Sequence, residues 1–396
     1  MSVLSNVEQT LLALLRCSLL PHSAAADDLP ALSEREWQSL AVRADALGVT
    51  SLTLNGALRA EADLPENILA VWRALDALRR ANAEEILEEQ DKCLRALIDA
   101  RISAAVIGHG ALATHYPAVI RRDVRSFMIL TEPNAKAVLA PIVLKTKHQF
   151  FFDLPIPASL DRLAAVRLRS LLARALDSTE PATLEGYCFQ IPNRNVKELL
   201  LLVAATREIT LSLLADWTTL IEYNEDTRDK GTSRVMREKC GLADTAARLS
   251  FAAARAFGLD VSDTDCENAV DTDAILRAAL TPQKDALAES DALFKQLLDE
   301  RAAKARAAKT VKAETAKAAK AAQTPRASAG KKNPTAPRQN AKPPKSAQLS
   351  KSVQPSKKKK KPEGTLSRLL DGLFPAAKRK KSDAKKQGKQ RKANGQ

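Results

Sequence analysis

The sequence predicts an α+β fold, in which a small mixed sheet lies between two helical segments and a basic tail follows. Three observations support this prediction. Apolar residues recur at helical spacing over residues 1–103 and again over 196–300, whereas short apolar runs alternate with helical patterns over 104–195. Beyond residue 300 the composition changes to Lys, Ala and Pro. We therefore expect four consecutive segments, the last of which spans residues 301–396.

Helix-start signals divide the first segment. Ser33 followed by Glu36 has the spacing of a capping box and predicts a helix through about Ala46. Pro65 comes just before an apolar-periodic run, and a separate, longer helix is expected from about Asn82 to Ala100.

In the second segment, four short apolar runs predict a sheet of four or five strands. These runs are Ala104–Ile107, Val124–Leu130, His148–Asp153 and Tyr187–Ile191, and the helical patterns between them are about Ala135–Leu144 and Ser159–Leu176. The third segment opens with a strongly apolar region that predicts one bent helix or two helices. Gly258 is expected to end a later helix there.

Charge is distributed unevenly along the chain. The whole sequence has a formal net charge of +15, but residues 301–396 alone hold 29 Lys and Arg against four Asp and Glu, so residues 1–300 are acidic. Beyond Pro325 almost nothing can be buried, which predicts disorder. An acidic body with a basic arm indicates a polyanionic partner for the arm.

Several partners fit the tail over residues 325–396. Nucleic acid would bind it through counterion release, without sequence specificity. An anionic membrane would bind the lysines while the apolar island Leu366–Phe374 inserts. A docking helix for a partner protein and an unselective solubilising arm are the other interpretations.

Cysteines and histidines exclude some classes of site. The five cysteines are far apart with no CxxC pair, which is typical of reduced thiols, and the four histidines include no HxxxH pair, so a structural zinc site is not expected. The N-terminal apolar run follows Glu8 and is interrupted by Arg16, which favours an amphipathic helix over a signal peptide. With no apolar run of about 18 residues, a cytoplasmic protein is expected.

A glycine turn after the first predicted strand is the strongest candidate for chemistry. Gly108, His109 and Gly110 permit a tight turn and close backbone approach, and a helix beginning at Ala111 would offer free N–H groups to a phosphate. Asp123 follows at the length of a short helix and a return loop. Its carboxylate could hold Mg²⁺ between the protein and a triphosphate.

This order of residues resembles the bacterial uncharacterised nucleotidyltransferases of the DNA polymerase beta fold. The similarity covers about residues 5–260. Gly110 sits where that family has its glycine, and His109 stands in place of its lysine. The matching residues that follow are Tyr116-Pro117, Arg122, Asp123 and, in the later leucine-rich helical stretch, Ala215-Asp216-Trp217.

The resemblance implies a nucleotidyltransferase-type sheet that binds a nucleoside triphosphate with Mg²⁺. Asp123 would be the catalytic and metal-binding carboxylate, and the residues meeting the phosphates would be Gly108, His109, Gly110, Arg122 and Arg125. Arg125, however, occupies the position of the second metal carboxylate, and Asp153 is a poor match for the third. A divergent member, active or a pseudoenzyme, is therefore expected. The alternative is a non-enzymatic scaffold held on nucleic acid or an anionic membrane by its tail.

Overall fold

The described part of the first 103 residues forms four helices, two of which begin at capping boxes that the sequence shows. In the computed structural model these are α1 (Asn6–Leu19), α2 (Glu34–Ala46), α3 (Thr50–Arg59) and α4 (Glu66–Asp99). Capping boxes open α1 at Ser5 and α2 at Ser33, because each serine hydroxyl accepts from the backbone N–H three residues on while a glutamate returns the bond. The structure describes residues 4–20, 29–117, 121–132, 135–143, 150–151, 156, 158, 160–222, 230–261 and 271–322.

Helix α4 corrects one prediction. Two helices were expected between Pro65 and Ala100, but one helix of 34 residues is present. The connecting residues 79–82 are Arg, Arg, Ala and Asn, and none of them breaks a helix as Gly or Pro would. Helix α3 was not predicted, because no side chain caps its first turn.

The backbones of helices α1 and α3 approach each other very closely. A Cβ atom added at Gly56 of α3 would lie 1.9 Å from the backbone oxygen of Leu14 in α1. Only a residue without a side chain fits this crossing, so Gly56 sets how closely the two helices approach.

A three-stranded mixed sheet lies in the second segment. Strand β1 (Ala104–Ile107) pairs antiparallel with β2 (Phe127–Thr131), and β2 pairs parallel with the two-residue β3 (Phe150–Phe151). The short helix α5 (His109–Ala113) connects β1 to the loop before β2, and α6 (Ala135–Val143) follows β2. Among the described residues, this sheet therefore has three strands, whereas four or five were predicted.

A separate hairpin supplies the other two strands. After α7 (Arg162–Ala175), β4 (Thr179–Leu184) pairs antiparallel with β5 (Tyr187–Pro192). The two-residue turn between them, Glu185-Gly186, has positive φ at both positions, which matches the twist of a tight hairpin. Strand β5 lies against β1 and α4, so the hairpin covers the side of the small sheet.

The third segment is helical throughout its described part. Its helices are α8 (Arg194–Ala205), α9 (Leu211–Glu222), α10 (Lys230–Lys239), α11 (Ala243–Phe257), α12 (Thr272–Leu280) and α13 (Lys284–Ala322). The apolar region after β5 therefore forms two helices. Gly258 ends α11 in the left-handed conformation, as predicted.

Helix α13 continues beyond residue 300 as an exposed helix, so the described part of the tail begins as helix. The predicted disorder beyond Pro325 and the Leu366–Phe374 island lie outside the described residues.

Two hydrophobic cores hold the body together. The larger joins the N-terminal helices to the C-terminal ones, with Leu11 and Trp72 packed in the same cluster as Trp217 and Phe257. The smaller lies between the sheet and the second half of α4. Residues 1–324 form one compact unit, in which the first and third segments share a core although about 100 residues separate them in sequence. Within the described residues, no helix combines the length and apolar character that a membrane crossing requires.

Candidate functional site

A buried ion pair joins the loop before β2 to helix α9. The Nε of Arg122 donates to Oδ1 of Asp216 over 2.7 Å, and Nη2 donates to Oδ2 over 3.0 Å. The hydroxyl of Tyr116 donates to Asp216 Oδ1 over 2.8 Å. All three side chains are buried. Such a two-point pair fixes the loop against α9 in a single geometry.

The electrostatics of this cluster keep its charges in place. Burial alone would lower the pKa of Arg122, but the charge and hydrogen bonds of Asp216 outweigh it and raise that pKa above its ordinary value. Burial, followed by the Asp216 charge, raises the pKa of the Tyr116 hydroxyl well above its usual range. Arg122 is therefore a cation and Tyr116 a neutral donor at any physiological pH.

Asp123 lies on the other side of this loop. Its Oδ2 accepts from the backbone N–H of Thr50 over 3.2 Å and lies 3.8 Å from Nη2 of Arg125. The backbone oxygen of Asp123 accepts from Nη1 of Arg122 over 2.6 Å. The residue is buried, and it lies in the loop before β2, which begins at Phe127 and not at Val124 as the apolar run predicted.

Arg125 connects Asp123 to the end of helix α2. Its Nη2 donates to the backbone oxygen of Asp45 and lies 3.5 Å from Asp45 Oδ1. The Asp45 side chain is fully buried and has further partners: Arg79 donates twice, over 2.7 and 2.6 Å, and the hydroxyls of Thr50 and Ser290 donate over 3.0 and 2.7 Å. Burial would raise the pKa of Asp45, but the hydrogen bonds and charge of Arg79 lower it.

The residues around Asp123 do not fit a pair of divalent cations. Two-metal chemistry needs several anionic oxygens around both ions. Here the neighbour of Asp123 is a guanidinium, and both oxygens of the nearby Asp45 already accept from arginine and hydroxyl donors. Within the described ranges, no three His, Cys, Asp or Glu side chains are grouped so as to hold a metal ion.

Two clefts border the loop that holds Arg122. The first has a volume of about 390 Å³ and is lined by Asp123 together with Arg79, Arg80 and Arg121. The second has a volume of about 400 Å³ and a mostly apolar lining from β1, α5, α8 and α9. Arg122 lines both clefts.

The residues predicted to share one site are divided between these clefts. Asp123 lines the first, whereas Gly108 and His109 line the second. Gly108 has φ +66, as a tight turn requires, but the helix begins at His109 and is only five residues long. Gly110 is buried inside it, where an added Cβ would lie 3.1 Å from a methyl group of Val106. Arg125 lines neither cleft.

His109 is a neutral side chain at this position. Burial, reinforced by the charge of Arg122, lowers the pKa of His109 to about 3. The imidazole therefore brings no positive charge to a phosphate at pH 7. Its Nδ1 is buried and has no hydrogen-bond partner among the described residues.

Sequence reasoning missed Lys197, Asp45 and Arg79. Lys197 is buried in α8 and lines the second cleft. A single lysine near the start of the run VKELLLLV is a visible signal, because the surrounding leucines mark a buried face. Asp45 and Arg79 carry no local signal, since the partners that hold them, apart from Thr50, come from distant parts of the chain.

No family model, no curated protein and no solved structure matches this chain. The resemblance to nucleotidyltransferases therefore rests on the residues that carry it. Four of these residues are in contact through one network, in which Asp216 accepts from Tyr116 and Arg122, and Arg122 also donates to the backbone of Asp123.

Proposed function

We propose that residues 1–324 form a nucleotidyltransferase-like pseudoenzyme, which binds a nucleoside triphosphate in the first cleft but does not transfer its nucleotidyl group. The observation that carries this proposal is the position of Arg125. This residue stands where the resemblance places the second metal carboxylate, and its guanidinium contacts both Asp123 and Asp45.

The charge of Arg125 takes the place that a cation would have beside Asp123. A guanidinium 3.8 Å from the carboxylate partly neutralises it and repels a divalent ion that approaches the same oxygens. Without bound metal, charge that develops on the triphosphate and its leaving group has no divalent ion to stabilise it. Nucleotide binding in this cleft therefore depends on arginine side chains.

Arg80 and Arg121 are the guanidinium groups available to such a ligand. Their side chains are 47% and 43% exposed. Arg121 pairs with the exposed Glu185, whereas Arg80 pairs with Asp76, whose side chain is buried. An exposed ion pair such as that of Arg121 contributes at most about 1 kcal/mol, so a phosphate group can replace Glu185 at little cost. The planar fork of arginine then binds two phosphate oxygens at once.

An assay of pyrophosphate release tests the loss of transfer. The full chain would be incubated with each of ATP, CTP, GTP and UTP in the presence of Mg²⁺ or Mn²⁺. We expect release no faster than that of the Asp123→Asn variant. Release that exceeds this variant by tenfold or more, with either metal, would show an active transferase.

A second function is favoured by the charge of the tail. Residues 325–396 hold 22 Lys and Arg against three Asp and Glu, in a composition with almost no apolar residues outside the Leu366–Phe374 island. We propose that this segment binds nucleic acid without sequence specificity. Each phosphate that a lysine or arginine neutralises releases a condensed counterion, so the affinity should fall steeply with salt.

Binding of a fluorescent RNA and of DNA of equal length, measured between 50 and 300 mM salt, tests the role of the tail. We expect the full chain to lose affinity by at least tenfold over this range for both ligands, and a chain ending at residue 324 to lose binding altogether. Retained binding by the shortened chain would assign the nucleic-acid site to the body instead.

A further inference from the structure

The second cleft is a mostly apolar site with a single buried amine. Its wall consists mainly of side chains from β1, α8 and α9, including Ile107, Leu200, Leu201 and Leu213. Lys197 lines the same cleft, and its side chain is only 2% exposed. A volume of about 400 Å³ lies within the range of small-molecule sites.

Lys197 has only a weak partner for its charge. The carboxylate that pairs with it among the described residues is that of Glu180, 4.0 Å away, with a side chain that is 57% exposed and outside the cleft lining. Burial, together with the charge of Arg194, lowers the pKa of Lys197 to about 8 even though Glu180 opposes the shift. At pH 7 the amine is thus a buried cation that lacks a close counter-ion, an unfavourable state that an anion in the cleft would relieve.

The other polar groups of the cleft add no net charge. The charge of Arg122 is offset by that of Asp216, which also lines the cleft. The exposed residues Arg207 and Glu208 carry opposite charges, which cancel. His109 contributes an unpartnered Nδ1 on a neutral ring. One positive charge, one spare imidazole nitrogen and an apolar wall therefore define the ligand that fits.

We propose that this cleft binds a small amphipathic anion: one carboxylate or phosphate head on an apolar body of about eight carbons. The head lies between Lys197 and His109, and the body packs against Leu200, Leu201 and Met128. This site is distinct from the proposed triphosphate site, because a triphosphate carries three to four negative charges and the apolar cleft offers one unmatched cation. The inference therefore stands independently of the nucleotide-binding proposal.

Calorimetric titration of the full chain at pH 7 with octanoate, octyl phosphate and octanol tests the proposal. We expect at least one of the two anions to bind at least tenfold more tightly than octanol, and the tighter one identifies the head group. ATP should not displace it. Octanol that binds as well as both anions, or displacement of the anion by ATP, would overturn the proposal.

Two variants locate the site. Lys197→Met keeps the length of the side chain and removes the amine, and we expect it to weaken anion binding at least tenfold and leave octanol binding unchanged. Ala204→Trp places a large ring at an exposed position of the cleft and should weaken all three ligands. Lys295→Met, on the exposed face of α13, is the matched control and should bind like the wild type. Unchanged anion binding in Lys197→Met would contradict the proposal even if Ala204→Trp failed to fold.

Discussion

Arg122 and Asp216 lie 94 residues apart in sequence and form a two-point ion pair in the interior, over 2.7 and 3.0 Å. The pair ties the loop before β2 to helix α9, and so joins the small sheet to the C-terminal helices. Arg122 also borders both clefts, since one face of the loop carries Asp123 and the other faces the glycine turn. The position of this one side chain therefore fixes the geometry of both proposed sites.

Replacing Arg122 by methionine should strongly destabilise the protein. Asp216 would remain buried with its charge unpaired, and breaking a buried pair in this way costs about 3–5 kcal/mol. The matched control is Arg121→Met, which removes a guanidinium that pairs with Glu185 at the surface and should cost no more than about 1 kcal/mol. Urea-induced unfolding measures both. Equal losses in the two variants would show that the buried pair is not a main source of stability.

Asp45→Asn should destabilise the protein in a pH-dependent manner. Because the folded-state pKa of Asp45 is lowered below 3.8, its ionised form stabilises the fold at pH values above the unfolded pKa, and this contribution is lost as the pH falls through the folded pKa. The free energy of unfolding of wild type should exceed that of Asp45→Asn by about 3 kcal/mol at pH 7. Denaturant midpoints between pH 7 and pH 3 should show this gap shrinking below about pH 4.

The exposed Asp291, which pairs with Lys295 one helical turn away, supplies the control for this pH series. Asp291→Asn should differ from wild type by less than about 1 kcal/mol throughout. A gap for Asp45→Asn that stays constant down to pH 3 would contradict the assignment of the ionised form as the stabilising one.

Gly56→Ala should separate α1 from α3. The added methyl group would lie 1.9 Å from the backbone oxygen of Leu14, which cannot move without shifting the whole helix, so we expect a loss of about 3 kcal/mol. Gly258→Ala is a useful comparison, because its φ of +79 is unfavourable for alanine but nothing lies within 4 Å of the new Cβ. That change should cost only about 1 kcal/mol. Thermal unfolding of both variants would test the difference; a smaller loss for Gly56→Ala would mean that α1 and α3 can part easily.

Lys197→Met should abolish a rise in the free energy of unfolding that wild type shows at high pH. Because burial lowers the folded-state pKa to about 8 from an ordinary 10.5, the folded amine releases its proton first as the pH rises, and the penalty for burying its charge disappears. Relative to the variant, the free energy of unfolding of wild type should rise between pH 8 and pH 10.5, by up to about 3 kcal/mol. Parallel curves for the two proteins would refute a buried, perturbed amine.

Local signals predicted much of the helical structure. The Ser33–Glu36 capping box and Gly258 begin and end helices as expected, because each acts through backbone groups within one turn. Strand β4 was missed because its exposed, Pro-containing sequence TEPATL lacks an apolar run, although the Glu185-Gly186 turn is a hairpin signal.

The candidate site was predictable only in part. The resemblance singled out Tyr116, Arg122, Asp123 and Asp216, and these residues are in contact through one network. The same reasoning placed the glycine turn and Asp123 at one site, whereas they line separate clefts. The link from Arg125 to Asp45 spans 80 residues and depends on how α2 packs, which no local pattern encodes.

The central proposal is that the guanidinium of Arg125, 3.8 Å from the Asp123 carboxylate, takes the place of a metal ion there. Its most direct test is calorimetric titration of the full chain with ATP, CTP, GTP and UTP, in Mg²⁺ and in EDTA, for wild type and Asp123→Asn. We predict that at least one nucleotide binds, that Mg²⁺ does not strengthen its binding, and that the variant retains this behaviour. Affinity that Mg²⁺ raises tenfold or more, with the gain lost in Asp123→Asn, would contradict the claim, and an absence of binding in both conditions would rule out a nucleotide ligand.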